Sequence, residues 1–190
     1  MINLRSITNV YNQINNVVDT NVLVAGGCIR DYLCNKPSYK DIDVFIQCEG
    51  RQDFFSKLDK LKPIFGLPRN PDSLEQEYNS TDCAPPILGV ADFKCRIDTC
   101  LQIVGFKNSK NIEFPSAVFN SFDFSVNCCG LDTTGIIDTP EAKTDRGRST
   151  FTLKNVWSGK QLLKVIDKYK RLSSTKYKNW EFNYNQDAFH

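Results

Sequence analysis

The sequence predicts a single α+β domain in which short strands alternate with amphipathic helices. A chain of 190 residues is long enough to bury one sizeable core. Its composition, 41% hydrophobic and 24% charged, is that of a soluble globular protein. Apolar residues recur at helical spacing near both ends of the chain, and short apolar or alternating runs lie between them. These patterns together indicate helices packed against strands.

The first third of the chain alternates between helix and strand. Two glycines, Gly26 and Gly27, end the first strand and precede a short helix. The run DIDVFI has period two, which places Asp41 and Asp43 on one face of a strand. The expected order is a helix over 4–18, a strand over 22–25, a short helix over 28–35, a strand over 41–46 and a helix over 51–61.

The middle of the chain is less regular. Residues 62–86 are rich in Pro, Asn, Asp and Ser, which predicts an irregular, poorly ordered segment or flap. Residues 87–95 and 99–106 are expected to form two antiparallel strands, joined at 96–98.

The last third ends in a second amphipathic helix. A short strand at 136–138 and a polar stretch at 139–149 come first. The helix then runs from Lys160 to Leu172 and carries lysines on its polar side. The residues expected to anchor it to the rest of the domain are Leu162, Leu163, Ile166 and Tyr169.

The cysteines and the apolar runs predict the compartment. The eight cysteines include no CxxC pair, and the single histidine is His190, so ligand spacing disfavours a structural zinc site. Cysteines that alternate with apolar residues pack as small hydrophobic side chains, which favours reduced core thiols. No apolar run approaches the roughly 18 to 20 residues that span a bilayer, and Met1 is not followed by a signal region. The expected location is the cytoplasm, without a membrane partner.

The charge distribution leaves two interpretations open. A net charge of +2 excludes binding of nucleic acid by bulk positive charge. Basic residues nevertheless cluster over 143–178, interleaved with Trp157, Tyr169, Tyr177 and Trp180. Cations that meet phosphates and rings that stack on bases are typical of single-stranded nucleic acid binding. The same pattern fits a solvated helix face whose aromatic residues pack inward.

The stretch AGGCIRDYLCNKPSYKDIDVFI, residues 25–46, is the clearest chemical signal. Asp41 and Asp43 project their carboxylates from one face of a strand, a few ångströms apart. Two ionised carboxylates at that spacing repel each other, and a divalent cation removes this cost. Oxygen ligands of this kind suit Mg²⁺ or Mn²⁺, with substrate phosphates completing the coordination. The pair therefore predicts a metal site that binds a phosphorylated substrate.

The glycine pair upstream predicts a phosphate site beside the carboxylates. At Gly26 and Gly27 no Cβ prevents backbone N–H groups from approaching a phosphate, and the following helix directs its positive end to the same place. Arg30 can add a charge-assisted contact to phosphate, or it can pair with a neighbouring carboxylate. Strand, glycine turn, helix and D-x-D strand in this order are more specific than either half alone.

These residues resemble the head-domain signature of the tRNA nucleotidyltransferase and poly(A) polymerase group in the DNA polymerase beta nucleotidyltransferase superfamily. That signature is GG-x-[VI]-R-D-x-L followed by D-[IL]-D, and SFDFSVNCCGLDTTGIIDTP resembles the group's second block. The resemblance spans residues 22–140. It implies a nucleotidyltransferase palm, in which helices pack against a mixed, mostly antiparallel sheet. It also implies template-independent transfer of a nucleotide from an NTP, with two metal ions, to a hydroxyl.

The resemblance further implies roles for individual residues. The implied nucleotide-binding residues are Gly26, Gly27, Arg30, Asp31 and Asn127, and the implied metal-binding and catalytic residues are Asp41 and Asp43. The superfamily's third carboxylate lies on a later strand, where this sequence has Gln102. Asp123 is the favoured replacement, with Asp92 and Asp98 as alternatives. The paired arginines of the second block are Ser121 and Phe122 here.

The sequence departs most from this group near its C-terminal end. Residues 1–150 are expected to form the head domain, and 151–190 a short basic helical extension packed on it. The nucleotide-reading E-D-x-x-R stretch of CCA-adding relatives is absent. Acceptor RNA would then be bound by Lys164, Lys168 and Arg171, or a protein partner would supply acceptor specificity.

Three functions remain in competition at the level of sequence. The leading hypothesis is transfer of a nucleotide to the 3′ end of RNA by a two-metal mechanism. Transfer to a protein or small molecule is the second, and a catalytically weak regulator that binds NTP or RNA is the third. The small size and the Asn- and Lys-rich composition favour a phage or viral gene.

Overall fold

The computed structural model describes residues 3–69, 87–94, 100–108, 111–156 and 158–184. The helices are α1 (Leu4–Asn15), α2 (Gly27–Leu33), α3 (Arg51–Phe65), α4 (Phe114–Asn120), α5 (Pro140–Arg148) and α6 (Gly159–Thr175). The strands are β1 (Val22–Ala25), β2 (Asp41–Gln47), β3 (Ile87–Lys94), β4 (Cys100–Phe106), β5 (Cys129–Asp132), β6 (Gly135–Asp138), β7 (Thr150–Leu153) and β8 (Glu181–Tyr184).

Six of the strands form one mixed, mostly antiparallel sheet in the order β3-β4-β2-β1-β5-β6. Strands β2 and β4 run parallel, and the other neighbours pair antiparallel. The predicted fold class, an α+β palm with a mixed sheet, is therefore confirmed.

The alternation of β2 separates the two faces of this sheet. Ile42, Val44 and Ile46 point to one face, where α1 and α3 cover them. Phe45 points to the other face, where α4 and the rings of Phe106 and other residues cover it. Because Asp41 and Asp43 share the face of Phe45 but lie beyond that cover, they are half-buried rather than fully enclosed.

The C-terminal elements build a second core against the palm. Strands β7 and β8 form a separate parallel pair, and α6 packs over them. The buried residues of α6 are Val165 and Leu172, whereas the side chain of Leu163 is 66% exposed. The expectation that Leu163 anchors the helix is therefore wrong. Leu162 and Tyr169 are partly buried against this core, as expected.

Two helices lie in segments whose apolar pattern did not predict them. Helix α4 begins with Phe114 and Pro115, and it spans only two turns. Helix α5 buries only Ala142 and Asp145, so its sequence carries almost no apolar periodicity. Its beginning is marked instead by a capping residue, Thr139, whose hydroxyl accepts a hydrogen bond from the Ala142 N–H at 3.2 Å.

The expected irregular segment over 62–86 begins later than predicted, because α3 continues to Phe65 despite Pro63. The rest of that prediction falls mainly on residues 70–86, which lie outside the described residues. Helix α1 is shorter than expected and ends at Asn15. In the described part of the chain, no helix combines the length and apolar character needed to cross a membrane.

Candidate active site

A cleft of about 250 Å³ opens where the beginning of β2 meets the glycine turn and α6. It is enclosed by the palm on one side and by the C-terminal helix on the other. Its lining residues include Gly26, Gly27, Arg30, Asp31, Lys40, Asp41, Asp43, Phe122, Asn127, Lys168, Arg171, Leu172, Thr175 and Lys176. The structure thus brings together residues that the sequence distributes over some 150 positions.

The two aspartates of the D-x-D strand line this cleft from β2. Asp43 pairs in register with Ala25 of β1 on one side and Gln102 of β4 on the other. Burial, followed by the negative charge of Asp41, raises the pKa of Asp43 to about 6. The charges of Lys168, Lys40 and Arg30 oppose this shift. Ionisation of the Asp43 carboxylate is therefore unfavourable without a cation, and a bound cation would stabilise the ionised form.

The glycine turn approaches these carboxylates closely. Gly26 has a φ of 85°, a left-handed conformation that an L side chain rarely adopts. A Cβ at this position would lie 3.7 Å from Oδ2 of Asp43 and 3.6 Å from the Phe122 ring. A side chain here would therefore extend toward both groups, so glycine keeps this corner of the cleft open.

Arg30 and Asp31 form a buried network beneath the cleft. Arg30 is 4% exposed, and its guanidinium donates to Asp31 Oδ1 at 2.5 Å and to the Asn127 side-chain oxygen at 2.9 Å. The Tyr177 hydroxyl donates to the same carboxylate at 2.6 Å, and Lys176 pairs with Asp31 Oδ2 at 2.7 Å. Of the two options open for Arg30, the structure has the one in which it pairs with a neighbouring carboxylate.

Asp123, the favoured third carboxylate, does not join the other two. Its Oδ1 accepts a hydrogen bond from Gln161 at 2.9 Å, and its Oδ2 pairs with Lys168 at 3.1 Å. It is also absent from the lining of the cleft. The structure therefore places Asp123 in the contact that fixes α6 to the palm, which disagrees with the predicted catalytic position.

The position beside Asp43 on the neighbouring strand belongs to Gln102, as the sequence indicated. Its side-chain N–H donates to Asp92 Oδ1 at 2.8 Å, and Asp92 lies opposite it on β3. Asp43, Gln102 and Asp92 thus lie side by side on β2, β4 and β3, and the amide of Gln102 stands between two carboxylates. Asp98, the remaining alternative, lies outside the described residues.

The predicted RNA-binding cations divide between two places. Lys168 and Arg171 line the cleft, but Lys164 does not. The neighbouring aromatic residues pack inward, since Tyr177 is 1% exposed and its ring lies 5.2 Å from that of Phe151. Tyr169 and Trp180 also contact Phe151. Of the two interpretations of this basic segment, these aromatic contacts favour the helix face with inward rings, and Trp157 lies outside the described residues.

The donor set of the cleft fits a magnesium-type ion held with a bound nucleotide. Two carboxylates lie on adjacent same-face positions of β2, and no hydrogen bond from the described residues occupies the Asp43 carboxylate. Among the described residues there is no group of three His, Cys, Asp or Glu side chains that could hold an ion alone. Mg²⁺ commonly takes one or two carboxylates and completes its shell with substrate phosphates and water.

The cysteines Cys28, Cys34, Cys48, Cys128 and Cys129 are free thiols. Burial raises the pKa of Cys28 to about 12 and that of Cys128 to about 11. These thiols are therefore protonated core groups.

Solved structures with a similar fold are tRNA-processing enzymes. A tRNA-processing enzyme in an apo form has a TM-score of 0.63 at 13% identity, over 96% of this chain and 45% of that chain. The CCA-adding enzyme of Bacillus stearothermophilus in complex with CTP has a TM-score of 0.53 at 16% identity, over 79% and 33%. A tRNA nucleotidyltransferase complexed with a primer tRNA and an incoming ATP analogue has a TM-score of 0.56 at 13% identity, over 96% and 47%. This chain spans less than half the length of each, and the likeness establishes a nucleotidyltransferase-like fold.

Comparison at the level of sequence identifies the family. No curated protein matches the chain with significant similarity. The family model of the Gabija anti-defense 2 family protein matches residues 3–142, which include the glycine turn and the D-x-D strand. This match covers well over half of the chain, and the chain belongs to the Gabija anti-defense 2 family.

Proposed function

We propose that this protein is a nucleotidyltransferase that transfers a nucleotide from an NTP to a hydroxyl acceptor. The observation that carries the proposal is the shared cleft of Asp41, Asp43 and the Gly26 turn. A carboxylate pair that needs a cation and a glycine corner that admits a phosphate are together suited to a metal-bound triphosphate. The nucleotidyltransferase-like fold supports it, as do the similar structures in complex with CTP and with an ATP analogue.

Each residue of the cleft has a proposed role in this reaction. Asp41 and Asp43 hold Mg²⁺ or Mn²⁺ by their carboxylates, and Gly26 and Gly27 leave room for the phosphate chain beside them. A metal ion held by these carboxylates would supply positive charge to the phosphates and would favour deprotonation of the attacking hydroxyl. Asn127 lies in the same lining, where its side chain is held by Arg30.

Arg30 and Asp31 act as positioning residues. Both are almost fully buried and pair with each other, so their charges are compensated within the protein. They lie on α2, directly after the glycine turn. By fixing this helix to Tyr177 and Asn127, they hold the turn at its distance from Asp43.

The acceptor that we propose first is the 3′ end of an RNA. The similar structure with a primer tRNA supports this choice. The chain spans less than half of that enzyme, so a protein partner is proposed to contribute acceptor specificity.

A protein or small-molecule hydroxyl is the second candidate acceptor. The inward packing of Tyr177 and its neighbouring rings favours it, because rings that pack into the core offer less stacking surface to RNA bases. The family description names an action against Gabija, so we propose that nucleotide transfer serves to counteract that defence. A phage or viral origin would fit this role. A weak or inactive NTP-binding regulator is the third candidate. It is favoured by Gln102, which lies beside Asp43 where the superfamily has its third carboxylate.

The test is incubation with each α-³²P-labelled NTP and Mg²⁺ or Mn²⁺, with total RNA, with host protein extract, or with neither. Label in RNA supports the first candidate, and label in protein supports the second. Bound but untransferred label supports the regulator.

The matched variants for this test are Asp43→Asn and Asp59→Asn. Both replace a carboxylate by an isosteric amide, but Asp59 lies on α3 with its side chain 66% exposed. Asp43→Asn, like Asp41→Asn, is expected to lower transfer by at least about a thousandfold, because the cation loses a charged ligand. Transfer by Asp59→Asn is expected to equal that of the wild type. Near-normal transfer by a variant that lacks both Asp41 and Asp43 would refute the proposed function.

A further inference from the structure

The cations of the cleft differ in how fully they are neutralised. Arg30 is paired with Asp31, and Lys40 lies 3.3 Å from Asp41 Oδ2. Lys176 pairs with Asp31 and donates to the Ser38 carbonyl oxygen at 2.6 Å. Arg30, Lys40 and Lys176 are therefore each already paired with a carboxylate of the palm, either Asp31 or Asp41.

Arg171 is in a different situation. It lines the cleft from α6, yet its guanidinium forms no ion pair or hydrogen bond with any other described residue. Five N–H donors in a planar fork are thus available at the wall opposite the glycine turn. A guanidinium in this state is suited to bidentate contact with a phosphate.

Lys168, one helical turn earlier, lines the same cleft. Its partner is Asp123, which lies outside the lining, and its side chain remains 35% exposed. Lys168 therefore faces Asp123 on one side and the cleft on the other. Because residues three apart share a helix face, Lys168 and Arg171 present two positive charges together.

Among the described residues that line the cleft, the palm contributes no unpaired cation beside Phe122. Ser121 donates its hydroxyl to the Val118 carbonyl oxygen, and Phe122 fills its place in the lining with an uncharged ring. A triphosphate bound at Gly26 would carry about four negative charges, more than Asp41- and Asp43-bound metal alone offsets. Because Arg30, Lys40 and Lys176 already pair with carboxylates, Lys168 and Arg171 of α6 are the described lining residues best placed to add positive charge.

We infer that Lys168 and Arg171 of α6 bind the phosphate chain of the nucleotide, so that the C-terminal helix completes the triphosphate site of the palm. This inference rests on the proposed function and adds the residues that grip the substrate. It replaces the expectation that these two cations bind acceptor RNA. Lys164 lies outside the cleft, and we still expect it to bind acceptor RNA.

The test measures nucleotide binding without transfer. The probes are the four α,β-methylene nucleoside triphosphates, which cannot release pyrophosphate, titrated calorimetrically into the full chain with Mg²⁺. Arg171→Ala and Lys168→Ala should each weaken binding by roughly tenfold or more, because each removes a charge-assisted phosphate contact. The affinity for the corresponding nucleoside monophosphate should change less than about threefold, since fewer phosphates reach α6.

Two control variants separate this role from a structural one. Lys170→Ala removes the same charge from an exposed position of the same helix, outside the lining, and should leave triphosphate affinity unchanged. Arg171→Lys keeps the charge and should recover part of the lost affinity. Thermal unfolding of Arg171→Ala in the absence of nucleotide should match the wild type, since the substitution removes no hydrogen bond or ion pair of the guanidinium with a described residue.

The outcomes distinguish this inference from the proposed function. If the wild type binds the triphosphates but Arg171→Ala and Lys168→Ala bind them equally well, the inference is wrong and the nucleotidyltransferase proposal stands. Loss of RNA affinity without loss of triphosphate affinity would also overturn it and return these residues to acceptor binding. If the wild type binds no triphosphate, both are wrong.

Discussion

The Tyr177 hydroxyl donates a hydrogen bond to the Asp31 carboxylate at 2.6 Å, across 146 positions of the chain. It also accepts a hydrogen bond from Arg30 Nε at 3.0 Å. A residue that follows α6 thereby completes the hydrogen bonding of a charged pair on α2. Burial without these partners would be costly for either charge.

We predict that Tyr177→Phe lowers the free energy of unfolding by about 1 to 3 kcal/mol, because it removes a donor from a buried carboxylate and leaves the ring in place. Urea unfolding followed by circular dichroism provides the measurement. Tyr11→Phe is the matched control, since that hydroxyl donates to the neutral Asn15 side chain at 3.3 Å. An equal loss in the two variants would contradict a special role for the Asp31 contact.

The raised pKa of Asp43 predicts a pH-dependent stability in the absence of metal. An aspartate with a pKa near 6 in the folded state, against 3.8 ordinarily, binds more protons when folded. Its contribution is fully present below pH 3.8 and is lost as pH rises through 6. In EDTA, the stability of Asp43→Asn relative to the wild type should therefore increase by about 2 to 3 kcal/mol between pH 4 and 7.

The same experiment has a control variant, and added Mg²⁺ should reverse the difference in stability. Asp59→Asn, at an exposed position, should show a smaller change with pH. Saturating Mg²⁺ should stabilise the wild type at pH 7 and leave Asp43→Asn less affected, because the ion binds the ionised carboxylates. A wild-type advantage that increases with pH in EDTA would contradict the assigned direction of the pKa shift.

Two leucines of α6 make a second matched pair. Leu172 is 7% exposed within the C-terminal core, whereas Leu163 is 66% exposed. Leu172→Ala should cost about 2 to 5 kcal/mol of unfolding free energy, and Leu163→Ala less than about 0.5 kcal/mol. Chemical denaturation of both variants tests the observed orientation of the helix. Similar losses would show that α6 is rotated relative to this structure.

Replacement by alanine is expected to have opposite effects on stability at two glycines, Gly105 and Gly147. A Cβ on Gly105 would lie 2.5 Å from the Phe54 ring, whereas a Cβ on Gly147 of α5 would meet nothing within 4 Å. Gly105→Ala should therefore destabilise the protein by about 1 to 3 kcal/mol through overpacking. Gly147→Ala should stabilise it by up to about 1 kcal/mol through helix propensity. The melting temperatures of the two variants should move in opposite directions.

The sequence predicted those parts of the fold that depend on local periodicity. The alternation of DIDVFI gave the two faces of β2 correctly, because successive side chains of any strand point in opposite directions. The spacing in α6 was less informative. Leu162 and Leu163 are adjacent in sequence, and only the position of the core decides which one is buried.

Long-range contacts explain what the sequence did not predict at the site. The motif located Gly26, Asp41 and Asp43, which now line one cleft. Asp123 was the favoured third carboxylate among three candidate aspartates, but Gln161 and Lys168 bind it from α6. No local pattern could indicate this contact, since it joins segments that lie far apart in the chain.

The buried hydroxyl of Tyr177 limits how far the chain can be shortened. The family match ends at residue 142, which suggests the palm as a unit for separate expression. A fragment cut there would retain the glycine turn and both aspartates. It would also leave Arg30 and Asp31 open to water and would remove one wall of the cleft. The presence of the motif residues in such a fragment would therefore not show that it folds, and an inactive fragment would not count against the proposed activity of the full chain.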